Sequence, residues 1–115
     1  MSPIDESEWK TRKSRIDPKL EVSGWPFKHG RSIPPAFRTE EEETENGPAD
    51  YALWLDGRVV SVIEAKKVTV GPQGVLTQAE RYARGLRDSA FNFDGLRCPF
   101  LYSTNGEIKI GRAHV

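Results

Sequence analysis

Three residues in the middle of the chain have types and spacing that could do chemistry together: Asp50, and then Glu64 and Lys66 on either side of Ala65. Two carboxylates on rigid strands make a hard-oxygen site. Such a site suits Mg²⁺, which takes few protein carboxylates and keeps several waters. An ammonium next to them can stabilise a nucleophile or the charge developing on a phosphoryl group. The set is a kit for phosphodiester hydrolysis. The bare Glu-x-Lys spacing is also that of an exposed edge-strand ion pair, which contributes little. The residues before it separate the two readings. Glu64 follows Val59, Val60, Val62 and Ile63, and a carboxylate ending so apolar a strand is costly unless something binds it.

These residues need a hairpin to position them. Ala49–Val68 is rich in β-branched and aromatic residues, and Asp56-Gly57 is a strong turn signal. Antiparallel strands are expected at Asp50–Leu55 and Arg58–Lys67. Register decides whether a site exists, because a one-residue slip flips a strand's faces. A two-residue loop pairs Leu55 with Arg58 and turns Asp50 away from Glu64. A three-residue loop with a bulge at Gly57 pairs Trp54 with Arg58 and sets Asp50 opposite Val62, diagonal to Glu64 on one face.

The flanking elements read as follows. Ser7 can cap a helix running to about Val22, with Trp9, Ile16 and Leu20 near one face. Asp17-Pro18 interrupts it and suggests a restart with Asp17 as N-cap, so that either two short helices or one kinked helix end at Gly24. Residues 25–48 show no period and form a long acidic, Pro-rich loop with one short strand near Ile33–Arg38. Pro72-Gln73-Gly74 breaks the chain again. Leu76, Ala79, Ala83 and Leu86 then mark a helix over about 75–88, with Arg81, Arg84 and Arg87 on it. A second hairpin follows, from Pro99–Ser103 through Asn105-Gly106 to Glu107–Ile110. The expected fold is α/β, a mixed β-sheet of about four to five strands flanked by helices, in a single domain over residues 1–115.

Composition narrows the classes. The chain has 115 residues, one cysteine and two histidines, His29 and His114, which excludes a disulfide framework and a Cys/His metal cluster. No apolar run is long enough to span a membrane, and the charged N-terminus lacks a secretory h-region. A cytoplasmic protein without membrane partners is expected. The formal net charge is zero, but it is a sum of unlike parts. Residues 1–38 sum to +3, residues 39–56 to −7 and residues 57–115 to +4. The acidic segment is mostly Glu40, Glu41, Glu42, Glu43 and Glu45, and such a block usually solvates a loop. The basic remainder permits a polyanionic partner.

The string Gly47-Pro48-Ala49-Asp50-Tyr51 through Ile63-Glu64-Ala65-Lys66-Lys67 resembles the core of PD-(D/E)XK nucleases. More narrowly, the chain resembles the N-terminal nuclease domain of type I restriction enzyme motor subunits. Glu8, Thr11-Arg12 and Ile16-Asp17-Pro18, Gly24-Trp25, Gln78-Ala79 with Tyr82-Ala83, and Ser103-Thr104-Asn105-Gly106 carry the likeness over about residues 8–110. The resemblance implies a restriction-endonuclease-like core that hydrolyses DNA phosphodiester bonds with Mg²⁺, for which Mn²⁺ can substitute. It implies that Asp50, Glu64 and the carbonyl of Ala65 hold the metal, with Glu8 a candidate to complete the acidic shell, and that Lys66 activates the attacking water. Gln78 and Tyr82 match a Gln-x-x-x-Tyr element beside the active site. Arg12 and Arg81 are candidates for DNA contact or active-site support. The implied partners are double-stranded DNA and a translocase domain or restriction-system subunits, with no small-molecule cofactor. No phosphate-binding loop of a motor is present, so the expectation is either an excised domain or a small stand-alone relative. The alternative reading is a catalytically silent DNA-binding or protein-interaction module on the same fold.

Overall fold

A computed structural model describes residues 7–27, 33–66, 76–87, 89–107 and 109–113. Lys67 at the expected strand end, Pro72-Gln73-Gly74, the expected helix start at residue 75, and His29, Gly30 and His114 lie outside the described residues. The helix expected to reach about residue 88 ends at Arg84, and Gly85, Leu86 and Arg87 follow it outside the helix. Ser7 caps the first helix, its hydroxyl accepting the Lys10 N–H at 3.0 Å. Helix α1 (Glu8–Thr11) runs without a break through a π segment at Arg12–Ile16 into α2 (Asp17–Val22). Asp17 is therefore not an N-cap. Its backbone is helical and its N–H donates to the Arg12 carbonyl across a wide turn. The wide turn accommodates Pro18, which has no N–H to give to a regular ladder.

Five strands form one sheet in the order β1-β2-β3-β4-β5. They are β1 (Ala36–Thr44), β2 (Gly47–Leu55), β3 (Arg58–Ala65), β4 (Phe100–Thr104) and β5 (Lys109–Ala113). The β3–β4 pair is parallel and the other pairs are antiparallel. Helix α3 (Leu76–Arg84) lies in the crossover between the parallel strands, as a parallel pair requires. The sheet is thus mixed and the fold α/β.

Strand β1 corrects the expected loop over residues 25–48. Its nine residues carry most of the glutamate run and pair with β2 from Ala36↔Leu55 to Thr44↔Gly47. Glutamate is a poor strand former, but strand preference follows context more than type. Within the sheet this strand pairs with β2, and on its other side the described residues add one bridge, between Arg38 and Phe27; the acidic side chains turn to cationic partners. Charge on an edge strand also discourages pairing with other chains.

Two small cores face opposite sides of the sheet. One packs Ala79, Ala83 and Leu86 onto Ala49, Val62, Leu96, Cys98 and Leu101. The other packs Ile16 onto Tyr51, Leu53, Ile63 and Ala65. Strand alternation sends Val62 and Ile63 to different sides, so β3 is buried on both. Phe100 is 37% exposed, while Leu101 beside it is fully buried on the inward side.

Candidate active site

The β2–β3 turn has two residues, with Leu55 opposite Arg58. Asp56 and Gly57 both have positive φ, 51° and 80°, as the tight hairpin turn of type I′ needs. The three-residue loop is therefore absent. By itself this turn would set Asp50 and Glu64 on opposite faces. The register shifts beyond it: Trp54 pairs with Val59, but Leu53 pairs with Ser61, leaving Val60 as an extra residue. The bulge moves the following pairs by one, to Ala52↔Val62 and Tyr51↔Ile63. Continuing that register places Asp50 opposite Glu64. There the Ala65 N–H donates to Asp50 Oδ2 at 2.8 Å, which fixes the carboxylate against the end of β3.

Both acids are deeply placed, with side chains 14% and 7% exposed for Asp50 and Glu64. Burial, and then the charge of Asp50, pushes the Glu64 carboxyl up to about 7, against the pull of Lys66. Burial likewise holds Asp50 above its ordinary range, against the Ala65 N–H and Arg12. Glu64 Oε2 is buried and has no hydrogen-bond partner. Such an atom is costly, and here it belongs to a carboxylate crowded by the charge of Asp50. Lys66 Nζ lies 3.4 Å from Glu64 Oε1 and is partly exposed. A cation would relieve the two crowded carboxylates and give the orphaned Glu64 oxygen a partner, with the Lys66 ammonium at the rim beside them.

The other expected residues distribute as follows. Gln78 Nε2 donates to Tyr82 Oη at 2.7 Å, and Arg81 Nη1 to Gln78 Oε1 at 3.3 Å. These three form their own chain of contacts on α3 and do not hydrogen-bond to the acidic pair. Helix α3 nevertheless packs on the face of β3 that carries Val62, the face to which alternation also assigns Glu64. The Tyr82 ring lies beside Gly47, at the start of β2. Glu8 occupies the first turn of α1. Among the described residues no three Asp, Glu, His or Cys side chains gather as a metal-holding group.

Arg12 reaches the site. It is buried, its Nη2 donates to the Asp50 carbonyl at 3.2 Å, and its Nη1 is 3.6 Å from Asp50 Oδ1. The guanidinium also pairs with Glu40 at 3.1 Å and with Glu41, and covers the Tyr51 ring at 4.8 Å. Lys13 bridges Glu40 and Asp17, and the Tyr51 hydroxyl donates to Asp17. Sequence reasoning missed the part played by Glu40 and Glu41. The signal available was an acidic block with no cation of its own, preceded by a helix offering Arg12 and Lys13. Neighbouring strand residues normally face opposite ways. Glu41 joins Glu40 on Arg12 with φ at 50°, a conformation that costs a non-glycine residue about 1–3 kcal/mol.

A cavity of about 540 Å³ lies on the other face of the sheet, lined by Trp25, Leu53, Ser61, Ile63 and Tyr102 among others; Asp50, Glu64 and Lys66 do not line it. No described helix is long and apolar enough to cross a membrane.

No curated protein and no solved structure matches the chain. A family model does, over residues 22–112. The match takes in Asp50, Glu64, Lys66, Gln78, Arg81 and Tyr82, and begins after Glu8 and Arg12. It describes a second domain of its subunit, where the resemblance in sequence pointed to an N-terminal one. With nearly the whole described sheet inside the match, the chain belongs to the family of the type I restriction enzyme EcoKI endonuclease subunit second domain.

Proposed function

We infer that this domain is the DNA-cleaving part of a restriction system, a divalent-metal-dependent endonuclease of the PD-(D/E)XK kind. The family supports the restriction context. The observation that carries the reading is the convergence of Asp50 and Glu64 across the bulged hairpin, with Glu64 Oε2 buried and unpartnered. Asp50 and Glu64 would hold Mg²⁺ or Mn²⁺, with the carbonyl of Ala65 as a third oxygen. When bound, the cation supplies Lewis acidity toward the scissile phosphate and offsets the charge that develops there.

The remaining work falls to the chain. Asp50 is held by the Ala65 N–H, so one carboxylate oxygen is committed to the backbone and the other is left for the cation. Lys66, tethered to Glu64 at 3.4 Å and open to solvent, orients the attacking water and stabilises the incoming nucleophile. Double-stranded DNA would lie along the α3 side, where Gln78, Tyr82 and exposed Arg81 present polar groups; Arg81 there would position the backbone without reading sequence.

Cleavage of plasmid DNA and Mn²⁺ binding by the purified protein test this together. Asp50→Ala, Glu64→Ala and Lys66→Ala should each reduce cleavage by about a hundredfold or more, with unchanged circular dichroism. Asp50→Ala and Glu64→Ala should also lose the rise in melting temperature with Mn²⁺. Full cleavage by any one of the three variants would refute the mechanism. A wild-type protein that neither cleaves nor binds Mn²⁺ would favour the silent binding module.

A further inference from the structure

We propose that Arg12 is the positioning residue of this site, holding Asp50 in place while Glu40 and Glu41 keep its guanidinium from capturing the Asp50 carboxylate. The proposal rests on the metal-site reading above and adds a role for an arginine that precedes the family-matched segment. Three observations carry it. First, the guanidinium makes its hydrogen bond to Asp50 at the main-chain carbonyl, at 3.2 Å, while the nearest carboxylate oxygen stands off at 3.6 Å. An arginine free to choose would take the carboxylate in a two-pronged pair. Second, both terminal nitrogens are already engaged by Glu40 and Glu41. Third, Glu41 reaches Arg12 only from a left-handed backbone in the middle of a strand. Strain of that kind persists where surrounding structure enforces it, and such places cluster at functional sites.

The wide π turn contributes as well. Arg12 is its first residue, and such turns change the direction of the side chains they carry. The acidic run thus acts as a counter-charge. It satisfies a buried cation so that Asp50 keeps an oxygen for the metal. Lysine lacks the planar fork that holds Glu41 on one terminal nitrogen, and Glu40 with the Asp50 carbonyl on the other, in a fixed geometry.

The test is Mn²⁺ affinity by calorimetry in the whole chain, without DNA, for wild type, Arg12→Met, Glu41→Gln and Glu43→Gln. Arg12→Met should weaken Mn²⁺ binding about 10- to 100-fold, the range seen when an outer partner of a metal ligand is lost. Glu41 is exposed on its outer side, so Glu41→Gln is expected to fold even where Arg12→Met does not. It should weaken binding several-fold. Glu43→Gln removes the same charge from an exposed position of the same strand and should leave affinity unchanged. Equal losses in Glu41→Gln and Glu43→Gln would reduce the effect to net charge and overturn the proposal. So would wild-type affinity in a folded Arg12→Met. A separate DNA-binding titration of Arg12→Met against salt, showing a slope lower by about one alongside unchanged Mn²⁺ affinity, would assign Arg12 to a phosphate and overturn the proposal. Absence of Mn²⁺ binding in the wild type would overturn the metal-site reading itself, and this proposal with it.

Discussion

Glu64→Gln should make the metal-free protein more stable at high pH while destroying the site. The Glu64 carboxyl is pushed from 4.5 up to about 7 by burial and by Asp50. A raised folded-state value means that the fold prefers the protonated acid. That preference is fully present below about 4.5 and is lost as pH rises through about 7. A rise from 4.5 to about 7 corresponds to about 3 kcal/mol of stability missing from the metal-free wild type at pH 8. Glutamine carries no charge to desolvate. It gives up the contact with partly exposed Lys66, which is worth little. Urea unfolding in a chelator, for both proteins at pH 5 and pH 8, reads the difference. At pH 5, just above the unfolded value, the variant should exceed the wild type by only about 1 kcal/mol. At pH 8 the variant should exceed the wild type by up to about 3 kcal/mol. Added Mn²⁺ should restore the wild type at pH 8 and leave the variant unmoved. Parallel stability curves for the two proteins across this range would refute the placement of Glu64 as a desolvated, charge-crowded acid.

Two further outcomes test the frame that holds the site. A Cβ on Gly85 would lie 2.9 Å from the Asn46 nitrogen and 3.0 Å from that of Glu45, both backbone atoms of the β1–β2 turn. Gly85→Ala should therefore lower stability by about 1–3 kcal/mol, as overpacking does, measured as a fall in melting temperature. Gly57→Ala places a side chain at φ 80° and should lower it by about 1–2 kcal/mol, whereas Asp56→Gly should be tolerated at its own positive φ.

Much of this molecule is legible in its residues. Asp56-Gly57 marks the hairpin because only a narrow class of residues accepts two successive positive φ values, and the turn is where it was expected. The spacing of Ala79 and Ala83 predicts the inward face of α3, and Ser7 predicts the first cap. The candidate triad is visible as residue types, since a carboxylate ending a run of valine and isoleucine is out of place unless bound.

Other features needed the fold. Pro18 looks like a break in sequence, but a π turn carries the helix past it. The glutamate block looks like a loop, since its strand propensity is poor. It becomes a strand because β2 offers a full row of backbone partners, Arg12 and Lys13 offer counter-charge from a distant helix, and Arg38 adds its own from within the strand. The sharpest case is the register. From residues alone, a two-residue turn separates Asp50 from Glu64, and a three-residue turn joins them diagonally. The protein takes the two-residue turn and then corrects it with one extra residue, Val60. Nothing in the local sequence marks that bulge, because any β-branched residue fits either side of it. It is selected by packing on both faces of β3, with Val62 committed to the α3 side and Ile63 to the helix on the other. The chain alone determined which side chains could hold a metal; whether they face one another is decided by a one-residue offset that only two opposed cores can enforce.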